Sequence, residues 1–305
     1  MKTSKAIQLA RRRSVIERAV IMKKILILGG SGMLGYAVRK VLQQQGYDVH
    51  WTERNLDKTP LAEDESPNQH FYWIGEFWKE YLFHELLDAV QPDYVINCIG
   101  VIKPRMIDNF EAAIYINAIF PHMLARLCKD KTKLIHITTD CVFSGKQGPY
   151  KETAPHDALD EYGKTKSLGE CSGDAMVLRT SIVGPEPYNK HSLISWVQKQ
   201  QDQIVQGYTN HLWNGVTTFE FARILQQIIH KDLWKVGIYH IHSPETINKY
   251  ELVDLILRRY NIVPSMFKHV EASVGCDRRL ATIYPEFLTS LVIPSISYQI
   301  QSLPE

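Results

Sequence analysis

The chain reads first as an alternation of buried runs and amphipathic stretches. Lys24-Ile25-Leu26-Ile27-Leu28 is a short continuous apolar run, the pattern of a strand covered on both faces. Residues 33–45 carry apolar positions at helical spacing and stop at Gly46. Residues 47–52 read as a second strand, 77–90 as a helix, 94–98 as a strand behind Pro92-Asp93, 110–128 as a long helix and 134–138 as a strand. Gly145, Gly148, Pro149 and Pro155 make residues 140–157 an ordered loop rather than a helix. A helix around Tyr162 follows, then a buried strand over 175–179. Strands alternating with helices predict an α/β fold built on a doubly wound parallel sheet.

Beyond Gly184-Pro185 the rhythm weakens. Helices are expected over 192–201, 217–229 and 249–259, with short strands at 204–206 and 238–241. The expected organisation is a peripheral tail over residues 1–22, a Rossmann domain over 23–181, and a smaller mixed α/β substrate lobe over 182–305 with segments returning to the main sheet. The tail carries Arg11-Arg12-Arg13 and lacks the apolar centre of a secretion signal.

Composition narrows the function classes. The sequence is 45% hydrophobic and 22% charged, ordinary for a globular protein, and its net charge of +2 argues against nucleic-acid or polybasic membrane partners. Five cysteines (Cys98, Cys128, Cys141, Cys171, Cys276) form no Cys-x-x-Cys pair, so neither a disulfide framework nor a metal site is expected. A reducing, cytoplasmic setting follows from that usage. No apolar run approaches the roughly 18 residues of a membrane span.

Two patterns carry chemistry. Gly29-x-x-Gly32-x-x-Gly35 follows a strand and opens a helix, the context of a dinucleotide-binding loop. Glycines let the backbone approach a pyrophosphate, whose charge is favoured at the helix N-terminus. Gly29, Ser31, Gly32, Met33, Leu34 and Gly35 are the expected cofactor contacts, with Asn97, Cys98, Ile99 and Gly100 at the end of the strand opposite. At the end of the second strand, Glu53 suits a ribose 2′-hydroxyl and hence NAD(H). Arg54, with Lys58 nearby, suits a 2′-phosphate and hence NADP(H). The reading favours NADP(H), because a short acidic side chain can turn aside while a phosphate needs a cation. Tyr162 and Lys166 are the second pattern. Four residues apart on a helix, they rise from one face. A phenol titrates near pH 10, and a neighbouring ammonium should pull that value toward the working range, making an acid–base pair for a carbonyl or alcohol. Tyr-x-x-x-Lys also arises by chance on solvated helices.

Taken in order, the Gly29 loop, the Asn97-Cys98-Ile99-Gly100 strand end and Tyr162-x-x-x-Lys166 resemble the extended short-chain dehydrogenase/reductases. Thr138-Thr139-Asp140-Cys141-Val142-Phe143-Ser144-Gly145, Tyr150-Lys151-Glu152 and Tyr162-Gly163-x-x-Lys166-x-x-Gly169-Glu170 look like segments of the dTDP-4-dehydrorhamnose reductase branch, as do Ile116-Asn117-Ala118 and Leu178-Arg179-Thr180-Ser181. The resemblance covers about residues 23–230. It implies that Thr139, Tyr162 and Lys166 are catalytic: Tyr162 supplies a proton to a ketone oxygen, Thr139 hydrogen-bonds that oxygen, and Lys166 also holds the nicotinamide ribose. Asn97 and Asn117 take cofactor-side positions, although buried amides often only satisfy backbone groups. Lys103, Thr139, Asp140, Val142, Phe143, Trp213, Asn214, Arg278 and Arg279 are the implied contacts of a nucleotide-sugar substrate. A homodimer is compatible with this branch. The sequence departs from it at Val101-Ile102-Lys103-Pro104-Arg105-Met106 and after the third strand, where Tyr72-Trp73-Ile74-Gly75 offers no acid before Glu76. A nucleotide-sugar epimerase or dehydratase, and a non-catalytic subunit like the regulatory subunit of methionine adenosyltransferase, are the alternatives within the resemblance.

Overall fold

A computed structural model describes residues 22–53, 69–73, 79–188 and 191–304. The tail other than Met22, and Arg54, Lys58 and Glu76, lie outside the described residues. Six strands, β1 (Lys24–Leu28), β2 (Asp48–Glu53), β3 (Gln69–Trp73), β4 (Tyr94–Asn97), β5 (Lys133–Thr139) and β6 (Met176–Thr180), join the Gly237–His240 strand in one sheet. The spatial order is Gly237–His240, β6, β5, β4, β1, β2, β3, and every pairing is parallel. The doubly wound parallel sheet expected from the alternation is present. Its order reverses between β1 and β4, and the crevice beyond their carboxyl ends is where such sheets bind ligands.

Strand alternation divides the core into two layers. Ile25 and Ile27 face the Met33–Gln44 helix, which buries Ala37, Val38 and Leu42, and the Thr218–His230 helix, which buries Phe221, Ile224, Leu225 and Ile228. Leu26 and Leu28 face the other way, onto Phe83, Leu87, Phe120 and Leu124. A fully buried side chain of this size contributes about 1.5–3 kcal/mol. The Thr218–His230 helix therefore belongs energetically to the main layer, although it lies late in the chain. A third cluster, with Val197, Val205, Trp213, Leu252, Ile256 and Ile296, holds the smaller lobe.

The structure revises several expected elements. The helix read over 110–128 is interrupted: Phe110–Ile114 and Phe120–Cys128 are α-helical, but Tyr115–Ile119 is a π-turn containing Asn117. Gly169 packs so closely there that a Cβ would drive into the Asn117 carbonyl oxygen. Lys103–Met106, within the stretch where the sequence departs from the branch pattern, is a short helix with Pro104 in its first turn. The smaller lobe is stitched by strands of two to five residues, such as Ile204–Tyr208 with Met266–Val270 and His211–Trp213 between Ile247–Asn248 and Cys276–Asp277. No helix among the described residues is long and apolar enough to cross a membrane.

Candidate active site

The glycine loop shapes the first half of the site. Gly29 holds a left-handed φ of 84°, and its N–H donates to Thr52 Oγ1 at 3.0 Å. A Cβ on Gly30 would lie 2.6 Å from Trp51, and one on Gly35 would run into the Gly29 carbonyl. The Met33–Gln44 helix starts at Gly32 with no side-chain cap and no acid in its first turn. Its leading N–H groups are therefore open to an anion. This cradle, which only glycines permit, fits the pyrophosphate of a dinucleotide. Gly32 is exposed and Ser31 and Met33 are partly so, whereas Leu34 is buried and can offer only backbone. Across the crevice Ile99 faces Gly29, and Gly100 lies open beside Asn117 and Lys166, from whose Nζ a Cβ would stand 3.8 Å away. Burial pushes the neighbouring Cys98 thiol up to about 12, leaving it inert at neutral pH.

Glu53 ends β2 turned inward, its Oε1 accepting from Trp51 Nε1 at 3.0 Å. Burial raises its carboxyl above the usual range, opposed by Trp51 and by the Arg39 guanidinium. Arg39 lies 4.6 Å over the Trp51 ring.

The second half comes from the Glu161–Leu168 helix, begun by Asp160, which accepts from Gly163 N at 2.9 Å. A side chain on Gly163 would strike the Cys141 carbonyl, so its absence lets the helix lie on the loop after β5 and brings Tyr162 to Thr139. The Thr139 hydroxyl donates to Asp140 Oδ1 and accepts from Cys141 N, both at 3.1 Å, and is also a hydrogen-bonding neighbour of the phenol. Burial, reinforced by Cys141 and Asp140, raises the Tyr162 phenol above its ordinary value, while Thr139 opposes the shift. Lys166 is buried, donates to the Ile137 carbonyl at 3.2 Å, and is brought down to about 8 by burial despite Glu170 and Cys171. The phenol is raised here rather than lowered by its lysine, because burial is the largest influence on it and the amine is aimed at the Ile137 carbonyl. A phenol held protonated is a proton donor.

Both asparagines brace the backbone. Asn97 Oδ1 accepts from Ile99 N at 3.1 Å, and its Nδ2 donates to His136 Nδ1 at 3.1 Å. Burial holds His136 well below its ordinary pKa, hence neutral and able to accept. Asn117 clamps Val101 from both sides, accepting from its N–H and donating to its carbonyl, each at 2.9 Å, and also reaches Thr165.

The substrate wall is partly as read and partly corrected. Lys103 Nζ lies 6.0 Å from the Tyr162 ring centre and 2.9 Å from Asp160. Asp140 is buried, its carboxyl raised by burial and lowered by Arg278 and Lys249. Val142 and Phe143 cannot serve as substrate contacts: both side chains are fully buried with Tyr150 and Leu280, and Phe143 stacks on Tyr150 at 4.2 Å. Asn214 is likewise committed, accepting from Leu280 N at 3.0 Å and donating to its carbonyl at 2.8 Å. Arg279 pairs bidentately with Asp277 at 2.7 and 2.8 Å, while Arg278 donates to the Phe143 carbonyl at 2.9 Å and the Ser144 carbonyl at 3.3 Å. Trp213 remains near the site, its Nε1 donating to Ser181 at 2.8 Å. Sequence reasoning missed Lys249, Ser181 and Asp160. The first two arrive from the second lobe and a strand end, with no spacing to signal them; Asp160 was legible as a helix N-cap.

Comparison with known proteins adds the following. A family model described as the RmlD substrate binding domain matches residues 22–277. The dTDP-4-dehydrorhamnose reductase of Aggregatibacter actinomycetemcomitans is 27% identical over 244 residues, covering 75% of this chain and 76% of that protein. Methionine adenosyltransferase 2 subunit beta of Danio rerio is 24% identical over 258 residues, covering 80% and 76%. The solved structure of dTDP-4-dehydrorhamnose reductase from Bacillus anthracis in complex with NADP superposes with a TM-score of 0.72 at 17% identity, covering 92% of this chain and 98% of that one. The dTDP-glucose 4,6-dehydratase of the same organism in complex with NAD gives 0.73 at 18%, covering 92% and 95%. At these identities the structural likeness shows the fold.

Proposed function

The chain belongs to the RmlD substrate-binding-domain family, and from that premise we propose that it is a nicotinamide-dependent reductase of a nucleotide-linked 4-keto-6-deoxysugar. The observation that carries this reading is Thr139 set against the Tyr162 phenol, with Lys166 four residues on along the same helix and its Nζ beside Gly100, across from the glycine loop. Relatives named as dTDP-4-dehydrorhamnose reductase and as a probable low-salt glycan biosynthesis reductase support the substrate class. When bound, the dinucleotide supplies a hydride to the ketone carbon. Gly29, Gly32 and Gly35 admit its pyrophosphate to the N-terminus of the Met33–Gln44 helix. As charge gathers on the ketone oxygen, the protonated Tyr162 phenol donates its proton there, and Thr139 holds the phenol in line. Lys166, beside Gly100, holds the sugar hydroxyls of the cofactor and offsets the negative charge left on Tyr162.

Tyr162→Phe tests this. It should leave NAD(P)H affinity nearly intact and lower ketosugar reduction by at least about a hundredfold, the scale of general acid catalysis. Near-normal turnover in that variant would remove the reading. The finer cofactor choice is NADP(H), resting on Arg54, since Glu53 is turned toward Trp51. Arg54→Ala should weaken NADPH more than NADH in parallel titrations, and equal effects would return the choice to NAD(H). The similarity to methionine adenosyltransferase 2 subunit beta favours a second, non-catalytic reading. The intact Tyr162, Lys166 and Thr139 set weighs against it, and a screen of dTDP-, UDP- and GDP-4-ketosugars with no turnover would favour it.

A further inference from the structure

The cations around Tyr162 are unequally employed. Lys166 donates to Ile137, Lys103 pairs with Asp160, Arg279 with Asp277, and Arg278 donates to two loop carbonyls. Lys249 differs. Among the described residues it makes no hydrogen bond and no ion pair, and its Nζ stands 5.2 Å over the Trp213 ring. Asp140, Cys141, Cys276 and Arg278 are its charged and titratable neighbours, which puts the ammonium beside the loop that begins at Thr139. Its place in the chain is also unfavourable for a cation. Lys249 is the first residue of the Lys249–Arg259 helix, against the positive end of the dipole, and Asn248 and Glu251 already cap that end. Lys103, Lys249 and Arg278 stand in this cluster against Asp140 and Asp160, an excess of positive charge that suits an anion.

We infer that Lys249 receives a phosphate oxygen of the substrate's nucleoside diphosphate, with Trp213 as the platform that holds its side chain over the cleft. This rests on the nucleotide-sugar reading above. Burial keeps the Lys249 ammonium below its ordinary pKa, the state of a cation poorly compensated until an anion arrives.

Calorimetric titration of the full chain with dTDP and with UDP, each without a sugar, is the test. A charge-assisted contact of this kind predicts a loss of about 10- to 100-fold in diphosphate affinity for Lys249→Met. The salt dependence should also be shallower, Lys249→Arg should retain most of the affinity, and NADPH affinity should not change. The melting temperature of Lys249→Met should hold or rise, whereas a lysine serving only to neutralise Asp140 would lower it. Equal diphosphate affinity in wild type and Lys249→Met overturns the assignment and leaves the reductase reading standing. If the wild type binds neither diphosphate, the nucleotide-linked substrate falls and the assignment with it. A loss of NADPH binding in Lys249→Met would move the contact to the cofactor's phosphates and also overturn it.

Discussion

At the scale of single residues, the decisive feature is the direction of one hydrogen bond. Thr139 gives its single proton to Asp140 Oδ1 and accepts from Cys141 N, so what it has left for its other neighbours is a lone pair. The phenol is then the proton donor on that side, and Thr139 orients it. Thr139→Ser should keep most activity, whereas Thr139→Val should lower turnover by about a hundredfold. Asp140→Asn, which still offers an acceptor oxygen, should be less harmful than Asp140→Ala; the reverse order in steady-state assays would rule out this arrangement. Lys166 supplies a pH signature. With its amine at about 8 and the phenol raised, the ammonium is the first of the pair to lose its proton as pH rises. The rate of carbonyl reduction should fall through about pH 8. That limb should persist in the residual turnover of Tyr162→Phe, and its disappearance would assign it to the phenol.

At the scale of elements, two glycines of one loop have separable duties. Gly35 lets the Met33–Gln44 helix touch the turn after β1, and a Cβ there meets backbone that cannot yield. Gly35→Ala should cost about 1–3 kcal/mol, the usual price of overpacking, and lower both melting temperature and cofactor affinity. Gly32 is exposed at the helix start, and a Cβ there would be in ordinary contact at 3.4 Å from the Gly29 carbonyl. Gly32→Ala should therefore melt like wild type yet bind NADPH more weakly. Equal cofactor affinities for Gly32→Ala and wild type would show that the pyrophosphate does not approach there.

At the scale of the whole molecule, one buried network joins the main sheet to the last segment of the chain. Arg179, on β6, is fully buried and pairs with Glu170 at 2.6 Å. It also donates to His240 at 2.6 Å and His156 at 2.8 Å. Glu152 accepts from His240 N, Thr282 Oγ1 and Ile283 N, tying the loop after β5 to the same segment. Arginine only donates, so both imidazoles must be neutral. Burial and Arg179 lower His240 to about 4, and burial also lowers His156. Histidines depressed in the folded state contribute stability that is present above pH 6.5 and lost as pH falls toward about 4. Glu152, depressed as a carboxylate, acts in the same direction, while the raised Glu53, Asp140 and Glu220 oppose it. The melting temperature should fall between pH 6.5 and 4, and fall less in His240→Gln; parallel curves would place the acid sensitivity elsewhere.

What the sequence determined by itself is what local chemistry dictates. Short continuous apolar runs bounded by turn residues read as strands covered on both faces, and their alternation with amphipathic helices indicates the parallel sheet. The glycine spacing and the Tyr162–Lys166 interval are likewise local, and so both patterns were visible. The helix over Lys249–Arg259 was legible to the residue, because its cap and periodicity lie within it. Strands of two or three residues are too short to show a period, and they were invisible. Only the tertiary structure decided which polar groups remain available for a ligand. The Val142 and Phe143 positions match a motif, yet burial makes them packing residues, and Arg279 is found paired with Asp277. Lys249 is separated from Tyr162 by more than eighty residues, and nothing local marks it. Its proximity to Asp140 exists because the smaller lobe is held against the loop after β5. The phenol's pKa was misjudged for the same reason, since desolvation belongs to the surroundings and not to the spacing of Tyr162 and Lys166 along the chain.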